Sequence, residues 1–166
     1  ALKRGGSVVF VIDRSGSMRA LDGGENQSRF ERAKSLARRA IEQLDSKDEA
    51  ALVISDSSAT TLVPFTREHQ RLRTSLAELR PGDLPGNAER GVEQARAMLE
   101  GRSASRIHVY TDRSIPSEEE ETGSQVVDAR VIGSARENLA INAFQLRRYP
   151  LSPSNFEALV RVTNTA

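Results

Sequence analysis

Ser7-Val-Val-Phe-Val-Ile12 is an unbroken apolar run that stops at Asp13, the pattern of a strand buried on both faces of a parallel sheet. It predicts a first, central strand. Ser28 followed by Glu31 is a capping-box signal, and Phe30, Ala33, Ala37, Ala40, Ile41 and Leu44 recur behind it at helical spacing, predicting a helix to about Leu44. Ala50–Ile54 reads as a second buried strand and Ala59–Phe65 as its partner, with Asp56-Ser-Ser as a turn too short for anything but an antiparallel pair. Leu72, Leu76 and Leu79 mark a second helix ended by Pro81-Gly82, and Asn87 is placed to cap a third that carries Val92, Ala95 and Leu99 inward and closes at Gly101. Arg106–Tyr110 is a further strand ending at Thr111-Asp112, and Val126–Ile132 a weaker one whose Asp128 and Arg130 predict partial exposure.

Alternating strands and helices predict an α/β fold: a Rossmann-like, doubly wound, mostly parallel sheet with one antiparallel edge strand and helices on both faces. The pattern changes after about Ser134. Leu139–Tyr149 and Phe156–Thr163 alternate apolar and polar residues around the turn-rich Pro150–Asn155, predicting a β-hairpin. The expected organisation is one α/β domain over 1–134 and a hairpin over 135–166 that opens an immunoglobulin-like β-sandwich module.

Composition narrows the function. With 166 residues the chain has room for one well-buried domain, and 37% hydrophobic against 28% charged residues is ordinary for a globular one. The net charge of +1 and the interleaving of Arg with Glu along Arg29–Glu42 argue for solvated helix faces, not a nucleic-acid stripe. The absence of cysteine excludes disulfides, a thiol nucleophile and a thiolate zinc site. No apolar run approaches the roughly twenty residues of a membrane span, so any anchor is expected in segments outside this sequence. Glu118–Glu121 reads as a solvated acidic loop, and His69 and His108 lie in no catalytic or metal spacing and read as structural.

The candidate chemistry lies at the strand ends. In open α/β sheets ligands sit outside the carboxyl ends of the strands, where the strand order reverses. If the strands ending in Asp13 and Asp112 are neighbours, their carboxylates face one crevice. Between them Asp13-Arg-Ser15-Gly-Ser17 sets alternate oxygen side chains toward one centre, with Gly16 expected to let the loop turn tightly. Carboxylates and hydroxyls suit Mg²⁺, or Mn²⁺ or Ca²⁺, rather than zinc or copper. A shallow shell of this kind leaves a position open for an acidic side chain of another protein.

Val8-Val-Phe-Val-Ile-Asp13-Arg-Ser15-Gly-Ser17-Met18 resembles the first element of the metal-ion-dependent adhesion site (MIDAS) of von Willebrand factor type A domains, and Val109-Tyr-Thr-Asp112 resembles its last. The resemblance implies that Ser15 and Ser17 coordinate the ion directly while Asp13 and Asp112 act through water. It implies a protein-binding adhesion or assembly domain, not an enzyme. Two departures stand out. Leu84-Pro-Gly86-Asn87 puts Gly86 where the family supplies a threonine ligand, leaving Asn87 or Asp83 as substitutes, and Arg113 replaces the family's glycine after the last aspartate. Val131-Ile-Gly-Ser-Ala-Arg-Glu-Asn138, with the Arg-Arg hairpin and Asn164, is similar to bacterial membrane-anchored aerotolerance (BatA-type) proteins, which implies a cell-envelope location.

Two other readings fit less of the sequence. One is a metal-free scaffold of the same fold with a degenerate site; the other is a metal-dependent hydrolase or phosphotransferase using Asp13, which expects a second Asp where Ser15 stands. Taken by themselves, Ser15 and Ser17 would be read as turn residues satisfying backbone groups. No G-x-x-x-x-G-K-[ST] phosphate loop is present.

Overall fold

The computed structural model describes residues 5–24, 26–115, 125–133, 138–149 and 152–165. The chain divides into two compact units, Ala1–Gly133 and Ser134–Ala166. The acidic run Glu118–Glu121 lies outside the described residues.

In the first unit, β1 (Ser7–Asp13) is buried along its whole length, as its apolar run requires. A short 3₁₀ helix (Gly16–Arg19) follows, then α1 (Arg29–Glu42), β2 (Glu49–Ser55), β3 (Ala59–Thr66), α2 (His69–Glu78), α3 (Ala88–Met98), β4 (Ser105–Thr111) and β5 (Gln125–Val131). The sheet order is β3-β2-β1-β4-β5. β1 pairs in parallel with both β2 and β4, β4 with β5 in parallel, and β2 with β3 antiparallel. The order therefore reverses between β1 and β4, and Ile12 pairs with Tyr110 one step before the two strand ends.

The two faces of β1 feed two cores. Val8, Phe10 and Ile12 pack with Ala50, Leu52 and Tyr110 against α1 (Phe30, Ala33, Ala37, Ile41) and α2 (Leu72, Leu76), and Met18 is buried in the same cluster. Val9 and Val11 pack with Val53, Ile107 and Val109 against Val92, Ala95 and Leu99 of α3. Helices on both faces of a mostly parallel sheet are what the alternating pattern predicted. β5 is an edge strand with Val126 exposed, in line with its mixed sequence.

The Ser28 hydroxyl accepts from Glu31 N at 3.1 Å and the Asn87 side chain from Arg90 N at 3.1 Å, so both predicted N-caps form. Gly101, at φ +74, follows α3. Two boundaries differ from expectation. α1 stops at Glu42, where the Gln43 amide folds back to the Ala40 and Ile41 carbonyls. α2 stops at Glu78, because Leu79 is already extended at ψ 139, ahead of the constraint that Pro81 places on the residue before it.

The second unit is an antiparallel hairpin of β6 (Asn138–Tyr149) and β7 (Ser152–Thr165). Its register opposes Phe144 to Val160 and Leu146 to Ala158 on one face, and Gln145 to Leu159 and Arg147 to Glu157 on the other. The expected turn is shorter than its composition suggested: Ser152 already pairs with Tyr149. A two-stranded sheet has only edge strands, where proline is tolerated, so Pro153 can lie inside β7.

Candidate metal centre

Asp13 ends β1 with no exposed surface, and both of its oxygens accept hydrogen bonds. The Ser15 amide donates to Oδ1 at 2.9 Å, and the Thr111 hydroxyl at the end of β4 donates to Oδ2 at 2.7 Å. Thr111 also accepts from the Arg113 amide at 3.2 Å, so one hydroxyl ties the two strand ends together. The sequence signal for this role was present in the Thr-Asp pair. A hydroxyl at the buried end of a strand beside an acid-bearing strand has few other partners.

The Ser15 and Ser17 hydroxyls lie 3.1 Å apart. Two ligands at about 2.0–2.1 Å from one octahedral ion, at right angles, are separated by about 3 Å, so this spacing matches one edge of a Mg²⁺ shell. Among the described residues no three His, Cys, Asp or Glu side chains converge to hold a metal. A site here is built on hydroxyls, with carboxylates behind them.

A second loop closes over the first. Gly82 N donates to Arg14 O at 2.6 Å, Gly16 N donates to Leu84 O at 3.0 Å, and Arg19 reaches Gly82 O at 3.2 Å. The close contact falls at Gly86, where a Cβ would lie 2.8 Å from Ser15 Oγ and 3.4 Å from Asp13 Oδ1. Gly86 thus stands beside the site, where the family pattern puts its threonine, and the loop has closed into the space a side chain needs. Neither substitute is idle: the Asn87 side chain caps α3, and Asp83 pairs with Arg19 at 2.8 Å. Gly16 behaves differently from the tight-turn expectation. It has no positive φ, and a Cβ there would meet the Asp83 backbone at ordinary contact distance.

Asp112 follows Thr111, and its side chain is only 4% exposed. Its Oδ2 accepts from Arg29 Nη1 at 2.7 Å, whereas its Oδ1 is buried without a hydrogen-bond partner. A buried orphaned carboxylate oxygen is costly unless a cation or its waters satisfy it, and this atom is where the residues present fit an ion. The guanidinium paired with Asp112 is that of Arg29, from the first turn of α1. Arg29 also forks onto Asp22 through Nε at 2.5 Å and Nη2 at 2.7 Å. The hydrogen bonds it donates to Asp22, with burial opposing them and Asp112 adding to them, raise its pKa above the ordinary value. No periodicity or motif spacing singled out Arg29.

The two histidines make their contacts outside this group of side chains. His69 Nε2 meets Asp48 O at 2.9 Å, and His108 stacks on Phe10 with ring centroids 5.4 Å apart.

Solved structures of other proteins share this fold. The solved structure of the conserved hypothetical protein BatB from Bacteroides thetaiotaomicron is similar at 23% identity and a TM-score of 0.66, over 96% of this chain and 80% of that one. An aerotolerance-related membrane protein from Bacteroides fragilis is similar at 21% identity and a TM-score of 0.66, over 96% and 82%. Proximal thread matrix protein 1 from the mussel byssus, solved with a zinc-occupied MIDAS motif, is similar at 14% identity and a TM-score of 0.57, over 76% and 35%. No curated protein matches the sequence. The model of the von Willebrand factor type A domain matches residues 8–114, from the first residues of β1 through Asp112, and the chain belongs to that family.

Proposed function

We propose that this domain docks a partner protein through a divalent ion held by Ser15 and Ser17, with Asp13 and Asp112 acting through water. The observation that carries the reading is the pair of hydroxyls 3.1 Å apart above a buried Asp13 whose two oxygens are both fixed. When bound, the ion supplies a positive charge with an open position for an acidic side chain of the partner. The chain's own residues do the orienting. Thr111 and the Ser15 amide hold Asp13, and the Asp13–Ser15 contact sets the loop that carries both hydroxyls, with Ser15 itself buried.

The arrangement supports binding over catalysis. Asp13 is fully buried and accepts two hydrogen bonds, so its oxygens are not presented to a substrate as a nucleophile's must be. Mg²⁺ fits the hydroxyl spacing, and the mussel protein was solved with zinc, an ion of similar oxygen-ligand distance, in its MIDAS motif. Among the described residues no helix is long and apolar enough to cross a membrane. We read the domain as the cell-envelope part of a membrane-associated bacterial protein, by its likeness to the Bacteroides structures.

We also propose that 135–166 opens a β-sandwich. Phe144, Leu146, Phe156, Val160 and Val162 line one face of the hairpin and all are exposed, and a lone two-stranded sheet with such a face is not independently stable.

A metal-free scaffold is the second reading, favoured by two observations: Gly86 leaves no room for the threonine ligand, and Arg29 already places a cation on Asp112. Calorimetric titration of Mg²⁺ and Mn²⁺ separates the two. Binding that Ser15→Ala abolishes is the expected result; no heat at millimolar ion, with or without a partner carboxylate such as free glutamate, supports the scaffold.

A further inference from the structure

We propose that Arg29 is a resident counter-cation of the metal centre: it holds Asp112 in place without a metal and weakens the site's affinity for a divalent ion. The inference rests on reading Asp112 as part of that centre.

The sequence gives Arg29 an unfavourable position. It is the first residue of α1, where the helix dipole favours anions over cations. What keeps it there is a cage. Two guanidinium nitrogens meet both oxygens of Asp22, and the third meets Asp112 Oδ2 at 2.7 Å. Asp22, Arg29 and Asp112 side chains are 11%, 19% and 4% exposed, so the charges are largely out of water and their mutual attraction is weakly screened. The fourth wall is Gly133, beyond β5, at φ +106, where an added Cβ would lie 2.5 Å from Arg29 Nε. Both the backbone conformation and the closeness of the guanidinium call for glycine there.

The consequences follow from charge. Asp13 and Asp112 offer two negative charges to an ion, and Arg29 places one positive charge in direct contact with the second. A buried carboxylate with no partner is strongly disfavoured, so Arg29 stabilises the metal-free domain. The same charge repels an incoming cation. Yet Arg29 satisfies only one oxygen of Asp112, and the buried Oδ1 leaves a demand that an ion's water can still meet. The site is thus poised between the guanidinium and the metal.

The test is Mn²⁺ titration of the whole chain by calorimetry, with melting curves in chelator, for the parent and for Arg29→Met, Arg29→Gln and Arg29→Lys. Arg29→Met removes the charge and keeps the stem. Arg29→Gln keeps an amide donor at the depth of Nε, which faces Asp22, and covers the case in which Arg29→Met does not fold. We expect the neutral variants to melt earlier in chelator and to bind Mn²⁺ about tenfold or more tightly, as loss of a partly buried repulsive charge implies. Arg29→Lys should stay within about twofold of the parent affinity, because it keeps the charge. Neutral variants that bind Mn²⁺ no more tightly than the parent overturn the inference. The outcome for the metal reading is separate. A silent parent with a neutral variant that binds in a Ser15-dependent way upholds the role of Arg29 and refutes metal use by the parent. A parent that binds with unchanged variants does the reverse. Silence in every variant overturns both.

Discussion

Single atoms decide this site, and Gly86 is the first of them. Its missing Cβ is the space that Ser15 Oγ occupies 2.8 Å away, so reinstating the family threonine forces the loop or Ser15 to move. We expect Gly86→Thr to cost about 1–3 kcal/mol, as overpacking does, and to leave Mn²⁺ binding no stronger than in the parent. Urea unfolding and calorimetry check both halves; a variant as stable as the parent with tighter binding would show that the loop yields. Thr111 is the complementary case. Thr111→Val keeps the shape but strips Asp13 Oδ2 of its donor inside a fully buried site, which should lower stability by about 1–3 kcal/mol in the same unfolding experiment. Asp13, Ser15 and Ser17 could be singled out as candidates because alternating oxygen side chains at a strand end form a local pattern, and Asp112 because it follows a later strand. Arg29 could not, because its meaning depends on Asp22 and on Asp112, 83 residues away.

At the scale of elements, local chemistry and tertiary contact divide the work unevenly. α1 and α3 are capped by Ser28 and Asn87, whose side chains accept from the third residue beyond, and both caps were readable because they act within one turn. Ser28→Ala and Asn87→Ala should each cost about 1 kcal/mol in unfolding free energy, while Glu68→Ala before α2 should change little, since that helix has no side-chain cap. A cost near zero for the first two would place those helix starts under the control of packing alone. The apolar runs of β1, β2 and β4 located the sheet well, because strands buried on both faces carry no competing signal. Their order was inferable only conditionally: the Asp13–Asp112 crevice depended on β1 and β4 being neighbours, and that adjacency comes from the 3-2-1-4-5 order, not from any residue in either strand. Boundaries were the weakest part. Leu44 and Leu79 continue the helical period yet lie outside their helices, because an apolar side chain can reach the core from a turn as well as from a helix.

For the whole molecule, acidification should act through a group far from the metal centre in chemistry if not in sequence. His108 lies on β4 with its ring stacked on Phe10, and burial pushes its pKa below the usual 6.5, with Asp128 opposing that shift and Arg106 and Arg130 adding to it. The folded domain therefore takes up this proton less readily than the unfolded chain. As pH falls past about 6.5 the unfolded chain binds the proton first, so the stability present above that pH declines through the window down to the lowered folded value. Asp56 works in a separate window. Hydrogen bonds from the Ser58 amide and from Arg14 outweigh its burial and hold its carboxyl below 3.8, so its contribution is present above that pH and is lost only as pH falls through and below it. Urea midpoints at about pH 8 and about pH 5 thus keep the His108 window apart from that of Asp56, which stays ionised in both states across that interval. We expect the parent to lose stability between the two, and His108→Gln, which keeps a polar side chain of similar reach without a titrating ring, to lose less. An equal loss in the variant would assign the acid sensitivity to other groups, and His108 would then be only a flat ring on Phe10.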